Sequence, residues 1–351
     1  MSSTRAPHAA AANPRRRRPG RRRTAVRVGL AIAVLGAAAF ALAGIVPGSS
    51  GRLAHLSVGW LVLAGLAEAV SLLAYANLFN VVFGPGEAGI GWLRSAQIAL
   101  GELGAFVVMP TGAGGPILRV WALLASGMEL SRLMVRSVVH AVVFNLPYIL
   151  VALLLGLGVV LGLGPGRAPA LVALAPIGVV ALAAAGTVAA SAYARRHRGE
   201  RHGRFERLGF EMVSAIPAGV RETQGRLQDP RLLLSSVGYW AGDSGVLILA
   251  FHAVHGSAPL GVILLAYLLG QLGNAVPLPG GVGGVEPIML GVFTASGVPL
   301  GLAAAAVVLY RFVSLGLQAA IGSLAAASLA PVLESGSHAV AEQLGARPPR
   351  S

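Results

Sequence analysis

Apolar residues along this chain come in long unbroken runs, not in the alternation of a half-buried strand or the single stripe of a surface helix. A helix needs about 20 residues to cross roughly 30 Å of hydrocarbon. Runs of that length recur at Ala25 to Val46, Leu56 to Phe83, Ser137 to Leu163, Ala168 to Tyr193, Leu232 to Val254 and Leu300 to Ala330. The pattern predicts six membrane-spanning helices. Two further apolar stretches are cut midway, one by MPTGAGGP (Met109 to Pro116) and one by PLPGGVGG (Pro277 to Gly284). Each flank is too short to span once the cut is made.

Backbone groups without helical partners cost several kcal/mol each if they face lipid, so such a break survives only inside protein or beside water. Proline ends a helix, and glycine allows left-handed turns and close approach. The two stretches are therefore expected to be re-entrant hairpins. Pro110, Gly112, Gly114 and Gly115 make the first turn, and Pro277, Pro279, Gly280, Gly281, Gly283 and Gly284 make the second.

The two stretches also register with one another. Gly101, Leu103 and Gly104 fall on Gly270, Leu272 and Gly273, Pro110 falls on Pro279, and Gly114 and Gly115 fall on Gly283 and Gly284, all at a separation of 169. One residue of slippage later, Ala125, Ser126, Gly127 and Leu130 fall on Ala295, Ser296, Gly297 and Leu300 at a separation of 170. Matching interruptions in two halves are the mark of duplicated, transporter-like folds. The units are expected at about 56–163 and 232–330.

Composition agrees: 55% of residues are hydrophobic, 11% are charged, and the mean hydropathy is +0.74, outside the range of soluble domains. Cysteine is absent, which excludes disulfides, thiolate metal sites and cysteine nucleophiles. All 27 basic residues are arginine, and the formal charge is +14. Nine arginines precede residue 28 and nine lie between Arg195 and Arg231, in both cases beside apolar runs, so they read as cytoplasmic topology signals and not as a nucleic-acid surface.

Residues 1–24 are expected to be a disordered basic cytoplasmic tail. The first apolar run ends without a convincing cleavage site and is expected to be a retained helix. Arg94, and Arg132 with Arg136, are expected on inner loops, as is the segment 194–231. Within that segment, Phe205, Leu208, Met212, Ile216 and Val220 suggest either an interfacial amphipathic helix interrupted at Pro217 or a solvated linker. With this parity the two broken units enter the bilayer from opposite faces. The expected architecture is an all-α, polytopic helical bundle with two re-entrant hairpins in inverted-topology repeats, a cytoplasmic tail at 331–351, and both termini inside.

Charges in apolar spans cost at least about 2.5–3.5 kcal/mol each, so they pair or face water. Glu286, in the first turn after the second break, either caps a half-helix or joins a polar site formed with the exposed amides there. Arg311, after Tyr310 in the last run, is near enough in the fold to meet Glu286 or an anionic headgroup. Arg119, after the first break, either snorkels or contacts phosphate. Asn274 begins the second broken stretch and joins this candidate headgroup set. Glu68, Glu102, His140 and Asp243 are secondary polar candidates. Glu68 and Asp243 lie at comparable depths in the runs before each hairpin, and His140 falls on Tyr310 in the repeat. No histidine and carboxylate cluster has metal spacing, no serine lies in a nucleophile motif, and GGVGGVE lacks the Lys-Ser or Lys-Thr of a phosphate loop. No metal, cofactor or nucleic acid is expected.

The sequence PLPGGVGGVE, the loop ending ASGVPL and the pair Tyr310–Arg311 resemble the lysylphosphatidylglycerol synthase transmembrane family, a bacterial flippase-like membrane domain. MPTGAGGPILRVWALLASGMEL is similar to the family's earlier proline-glycine motif, whose arginine maps onto Arg119. It differs at Pro116, where relatives often carry a glutamate. The resemblance covers roughly Val26 to Ala330. It implies a bacterial inner-membrane lipid translocase acting on a phospholipid or an aminoacyl- or glycolipid, with a separately encoded transferase as possible partner. The soluble transferase domain of better-known members is not expected within this chain. The alternative is a membrane-embedded enzyme or accessory subunit of lipid or cell-envelope synthesis.

Overall fold

A computed structural model describes residues 47–84, 89–108, 114–162, 170–197, 204–275 and 279–336. The first apolar run, the basic N-terminal tail, residues 337–351 of the C-terminal tail, and the turn residues Pro110, Gly112 and Pro277 lie outside the described residues. Those described are helical apart from short turns. In chain order the helices are α1 (Ser49–Ala54), α2 (Val58–Phe83), α3 (Trp92–Val108), α4 (Gly114–Ala125), α5 (Leu130–Val160), α6 (Ala170–Arg196), α7 (Arg204–Arg226), α8 (Pro230–Ala253), α9 (Leu260–Gln271), α10 (Val285–Ala295) and α11 (Leu300–Ser335). Short 3₁₀ turns at Leu272–Ala275 and Pro279–Gly281 sit between α9 and α10.

Among the described residues four helices, α2, α5, α8 and α11, are long and apolar enough to cross a membrane. Their outward surfaces say the same. Val58, Val62, Leu63, Leu66, Val70 and Leu73 form an exposed apolar stripe on α2, which would face lipid and has no reason to face water. By contrast α9, α10 and α4 have 11 or 12 residues each, roughly 17 Å of helix at 1.5 Å per residue. They are half-length elements.

The duplication is built into the helices themselves. α5 begins at Leu130 and α11 at Leu300, and α2 ends at Phe83 and α8 at Ala253, each at a separation of 170. The turn before each long helix is the same. Gly127 (φ +91°) and Gly297 (φ +81°) adopt the left-handed conformation. The amide of Met128 donates to Leu123 O at 3.1 Å and that of Val298 to Phe293 O at 2.9 Å, with the preceding glycine amides donating to Leu124 O and Thr294 O. This is the Schellman helix end, which needs glycine where φ is positive.

α2 and α8 correspond in the repeat and pack along their lengths. Ser71 Oγ donates to Tyr239 O at 2.9 Å, Asn77 Nδ2 donates to Ser235 Oγ at 2.8 Å, and a Cβ on Gly242 would lie 2.8 Å from Ala67 O. As residue numbers rise along one helix they fall along the other, so the equivalent helices are antiparallel. That is the relation an inverted repeat requires.

Within each broken unit the half-helices also fold back on one another. A Cβ on Gly115 would be 2.8 Å from Glu102 O in the first unit, and one on Gly273 would be 2.5 Å from Val285 N in the second. α11 runs through the centre, with Ala303, Ala304, Ala305 and Ala306 fully buried. It crosses α3 backbone to backbone: a Cβ on Gly104 would lie 2.7 Å from Gly322 Cα. Small residues allow such approach between membrane helices.

Three expectations about the loops are corrected. Arg132 and Arg136 are not on a loop, because the tight Gly127 turn leaves no room for one and α5 starts at Leu130. Buried Arg136 donates from Nη1 to Val82 O at 2.6 Å, and Arg226 Nη2 donates to Val81 O at 2.7 Å. Two arginines thus satisfy carbonyls at the negative end of α2. Arg94 likewise belongs to the first turn of α3. Finally, Pro217 does not interrupt α7. Its lost hydrogen bond is tolerated because the next turn is clamped to α5, where a Cβ on Gly219 would meet Val138 Cγ1 at 2.6 Å and Val135 O at 2.9 Å. The buried line is Ala215, Gly219 and Thr223, and of the expected apolar stripe Met212 is exposed.

Candidate functional site

The second break ends where Gly280, Gly281 and Gly283 take positive φ values of 56°, 65° and 87°. These conformations free several amides and carbonyls, and two charged side chains claim them. Glu286, in the first turn of α10, accepts the Gly283 amide on Oε2 at 2.7 Å. Arg311, from the middle of α11, donates from Nε to Glu286 Oε1 at 2.8 Å and from Nη2 to Gly280 O. Both side chains are 9% exposed. The pair ties the turn to the central helix. Asn274 is close by, donating to Gln271 Oε1 at 2.7 Å. Its own Oδ1 is buried without a partner, directly against Gly281, where a Cβ would collide with it.

The first break is fastened differently. Arg119 on α4 does not snorkel. Its Nη1 lies 3.2 Å from Glu102 Oε1 on α3, with side-chain exposures of 17% and 9%. Arg119 Nε and Glu102 Oε2 are buried without partners. His140 packs nearby, stacked on Phe144 with ring centroids 5.9 Å apart and against the edge of Tyr75 at 5.5 Å, with Nε2 unpartnered. It is a packed polar contact among aromatic rings.

A third polar group lies between the two units. Asp243 on α8 accepts from Tyr267 Oη at 2.6 Å and Tyr310 Oη at 3.1 Å on Oδ2, and from Ser314 Oγ at 2.9 Å on Oδ1. Glu68, fully buried on α2, accepts from Gln318 Nε2 at 3.1 Å, and the same amide donates to Ser314 Oγ at 3.1 Å, which joins Glu68 to the Asp243 carboxyl. Gln271 Nε2 reaches Tyr310 Oη at 3.4 Å. A continuous chain therefore runs from Asp243 through Tyr310 and Gln271 to Asn274 and the second turn. Tyr267 also lines a cavity of about 240 Å³ between α5, α8 and α9, together with Pro147, Tyr148, Trp240 and Ser244.

Sequence reasoning missed Tyr267, Gln271, Ser314 and Gln318. The signal for two of them was present: Tyr310, Ser314 and Gln318 recur at four-residue spacing on one face of α11.

The end of α3 meets the second turn. A Cβ on Gly280 would lie 3.7 Å from Val107 Cα and 3.4 Å from the Leu315 side chain. Val107, Leu315 and Ala319 form a small buried cluster against which Phe106 and Val282 pack. Beside this packing of α3 and the second turn against the helix bearing Tyr310 and Arg311, sequence comparison finds that the family described as the lysylphosphatidylglycerol synthase TM region covers residues 24–322. The chain belongs to that family. It is thus a membrane protein of the lysylphosphatidylglycerol synthase TM-region family, and this ties it to membrane lipid. Comparison with curated proteins finds no match.

Within this family member the charged candidates Glu68, Glu102, Arg119, Asp243, Glu286 and Arg311 form three groups: two ion pairs and one acid pair. Among the described residues no cluster of histidine and carboxylate side chains has the makings of a metal site. The second ion pair is closed, because its hydrogen bonds also hold the turn. The first keeps one donor and one acceptor atom in hand.

Proposed function

We propose that the protein moves a membrane lipid between leaflets, with the headgroup passing through the polar region where the two broken units meet and the tails remaining in lipid. The observation that carries this reading is the incomplete Glu102–Arg119 pair beside a helix break. A phosphate needs a guanidinium donor, and Arg119 has an unpaired Nε. A headgroup hydroxyl or ammonium needs an acceptor, and Glu102 Oε2 is also unpaired. Both atoms are covered in this conformation, so the headgroup reaches them when α4 swings away from α3, and half-length helices pivoting on glycine turns suit such rocking. Glu286 and Arg311 then act as the anchor of the second turn, and contact the headgroup only if that anchor opens. Tyr310 and Asn274 extend the polar path.

In this reading the protein is a non-enzymatic translocase of an anionic phospholipid or an aminoacyl- or glycolipid. It sits in a bacterial cytoplasmic membrane with both termini inside, works beside a separately encoded lipid-modifying transferase, and uses no cofactor. The test is lipid-probe accessibility in proteoliposomes with a broad panel of labelled lipids. Protein-dependent movement of at least one lipid class, reduced about tenfold or more by Arg119→Gln, is the expected result; about 1.4 kcal/mol of lost headgroup binding suffices for that. No protein-dependent movement of any lipid in the panel overturns the reading.

A further inference from the structure

The acid pair between α2 and α8 meets the headgroup path just described only through Tyr310, and it is deeply buried: Glu68 is 0% and Asp243 4% exposed. Every neighbour that faces it is neutral. From α8 comes Tyr239, from α9 Tyr267, and from α11 Tyr310, Ser314 and Gln318. The charged groups on adjoining elements are already committed. Arg311 on α11 is turned to Glu286 on α10 and to Gly280 O, and Arg119 on α4 is held by Glu102 on α3. The α5 hydroxyl of Tyr148 donates to Leu268 O. No basic side chain among the described residues pairs either carboxyl.

Two carboxylates in contact in a low-dielectric interior do not both ionise, because mutual repulsion and desolvation act together. The hydrogen bonds say how the pair divides the roles. Asp243 accepts from three hydroxyls, the surroundings of a carboxylate acting only as acceptor. Glu68 has Oε1 on the Gln318 amide, while Oε2 is buried with no donor facing it. That oxygen is satisfied if it carries a proton and gives it to Asp243. Tyr267, which bonds Asp243 through its hydroxyl, lines the 240 Å³ cavity beside α5 with its ring.

We infer that Glu68 and Asp243 hold a single proton between them within the membrane, and that exchange of this proton is coupled to lipid movement. The coupling half rests on the translocase reading above; the shared proton does not. The coupling has a mechanical basis. Tyr310 and Gln271 connect Asp243 to the second turn, so loss of the proton, which leaves two adjacent negative charges, pushes α2 from α8 and loosens the network holding that turn.

Two measurements on the full chain in lipid nanodiscs and vesicles test this. In infrared spectra at neutral pH, a protonated-carboxyl band that shifts in deuterated water is expected from the wild type and lost in Glu68→Gln. It is expected to persist in Asp243→Asn, where Glu68 keeps its proton. Because both substitutions are isosteric, they also guard against a simple folding failure. Absence of the band in the folded wild type overturns the inference. In vesicles, a pH gradient is expected to bias lipid movement by up to about tenfold per pH unit for one coupled proton, and to have no effect on Glu68→Gln. Lipid movement indifferent to the gradient overturns the coupling. A wild-type band without lipid movement under any condition supports the shared proton and counts against the translocase reading instead.

Discussion

In the first half of the molecule Arg119 reaches back across its own hairpin to Glu102, 3.2 Å away, whereas in the second half Glu286 reaches out of its hairpin to Arg311 on α11, 2.8 Å away. Backbone contacts show the opposite arrangement at equivalent positions. Gly104 of the first unit packs on Gly322 of α11, while Gly273 of the second packs on Gly284 within its own hairpin. One unit is therefore attached to the central helix by a bare backbone crossing, and the other by a charged pair that also holds the turn's amide and carbonyl. A glycine crossing is non-directional and tolerates tilt, but a buried, hydrogen-bonded ion pair does not. In the translocase reading proposed above, the two repeated units thus divide into a half fixed by the ion pair and a half free to tilt at the glycine crossing.

Removing the fixed half's anchor is the strongest way to break this comparison. Arg311→Ala leaves Glu286 buried without its partner and is expected to cost about 3–5 kcal/mol, read as lower thermal stability in nanodiscs. The double substitution Glu286→Leu with Arg311→Met removes both charges but leaves the Gly283 amide and the Gly280 carbonyl without partners, so only part of that loss is expected to be recovered. Full recovery would contradict the anchor role. Next in size, Gly104→Val forces a side chain into the α11 backbone and is expected to cost about 1–3 kcal/mol by overpacking, measured by denaturant or thermal unfolding. Arg119→Gln comes third. The pair it breaks is already incomplete and Gln keeps an amide donor for Glu102, so a stability loss of about 1 kcal/mol is expected, together with the large drop in lipid movement. If Arg119→Gln proved as destabilising as Arg311→Ala, the assignment of fixed and movable halves would be reversed.

The smallest effect is expected outside the two units. Asp229 caps α8, accepting the Arg231 amide at 3.0 Å, and its acidity is strengthened by hydrogen bonds from the Arg231 side chain and amide. Asp229→Ala is expected to lower thermal stability slightly through loss of this cap. Because the folded carboxyl is more acidic than the unfolded one, its contribution is present at neutral pH and fades as pH falls through the folded value. A titration of thermal stability in wild type and Asp229→Ala checks the sign.

The duplication was legible in the sequence because the features that mark it are backbone requirements. Gly127 and Gly297 sit where a left-handed turn is obligatory, and glycine is the residue that supplies it without strain. Helix content and the half-length elements followed from apolar run length alone. The division of labour between the ion pairs was not legible. Glu102 and Gln271 correspond in the repeat, as do His140 and Tyr310, but the partners of Arg119 and Arg311 lie 17 and 25 residues away along the chain and are decided by how the helices cross. Glu68 and Asp243 were seen as groups at similar depth, but their contact depends on α2 and α8 being antiparallel. Arg136 looked like loop charge because hydropathy does not see the carbonyls of α2 that it satisfies.

The central claim is that the two interruptions meet inside the membrane and that lipid passes where they meet. Since the chain lacks cysteine, the variant Val107→Cys with Val282→Cys places one thiol at the end of α3 and one on the second turn, within the small cluster they share. The decisive measurement is lipid movement in proteoliposomes by this variant before and after treatment with a short thiol-specific bifunctional reagent. Movement before treatment, efficient joining of the two positions, and arrest of movement that reverses when a cleavable reagent is cut are the results predicted. Failure of the two positions to join, or lipid movement unchanged once they are joined, would contradict the account.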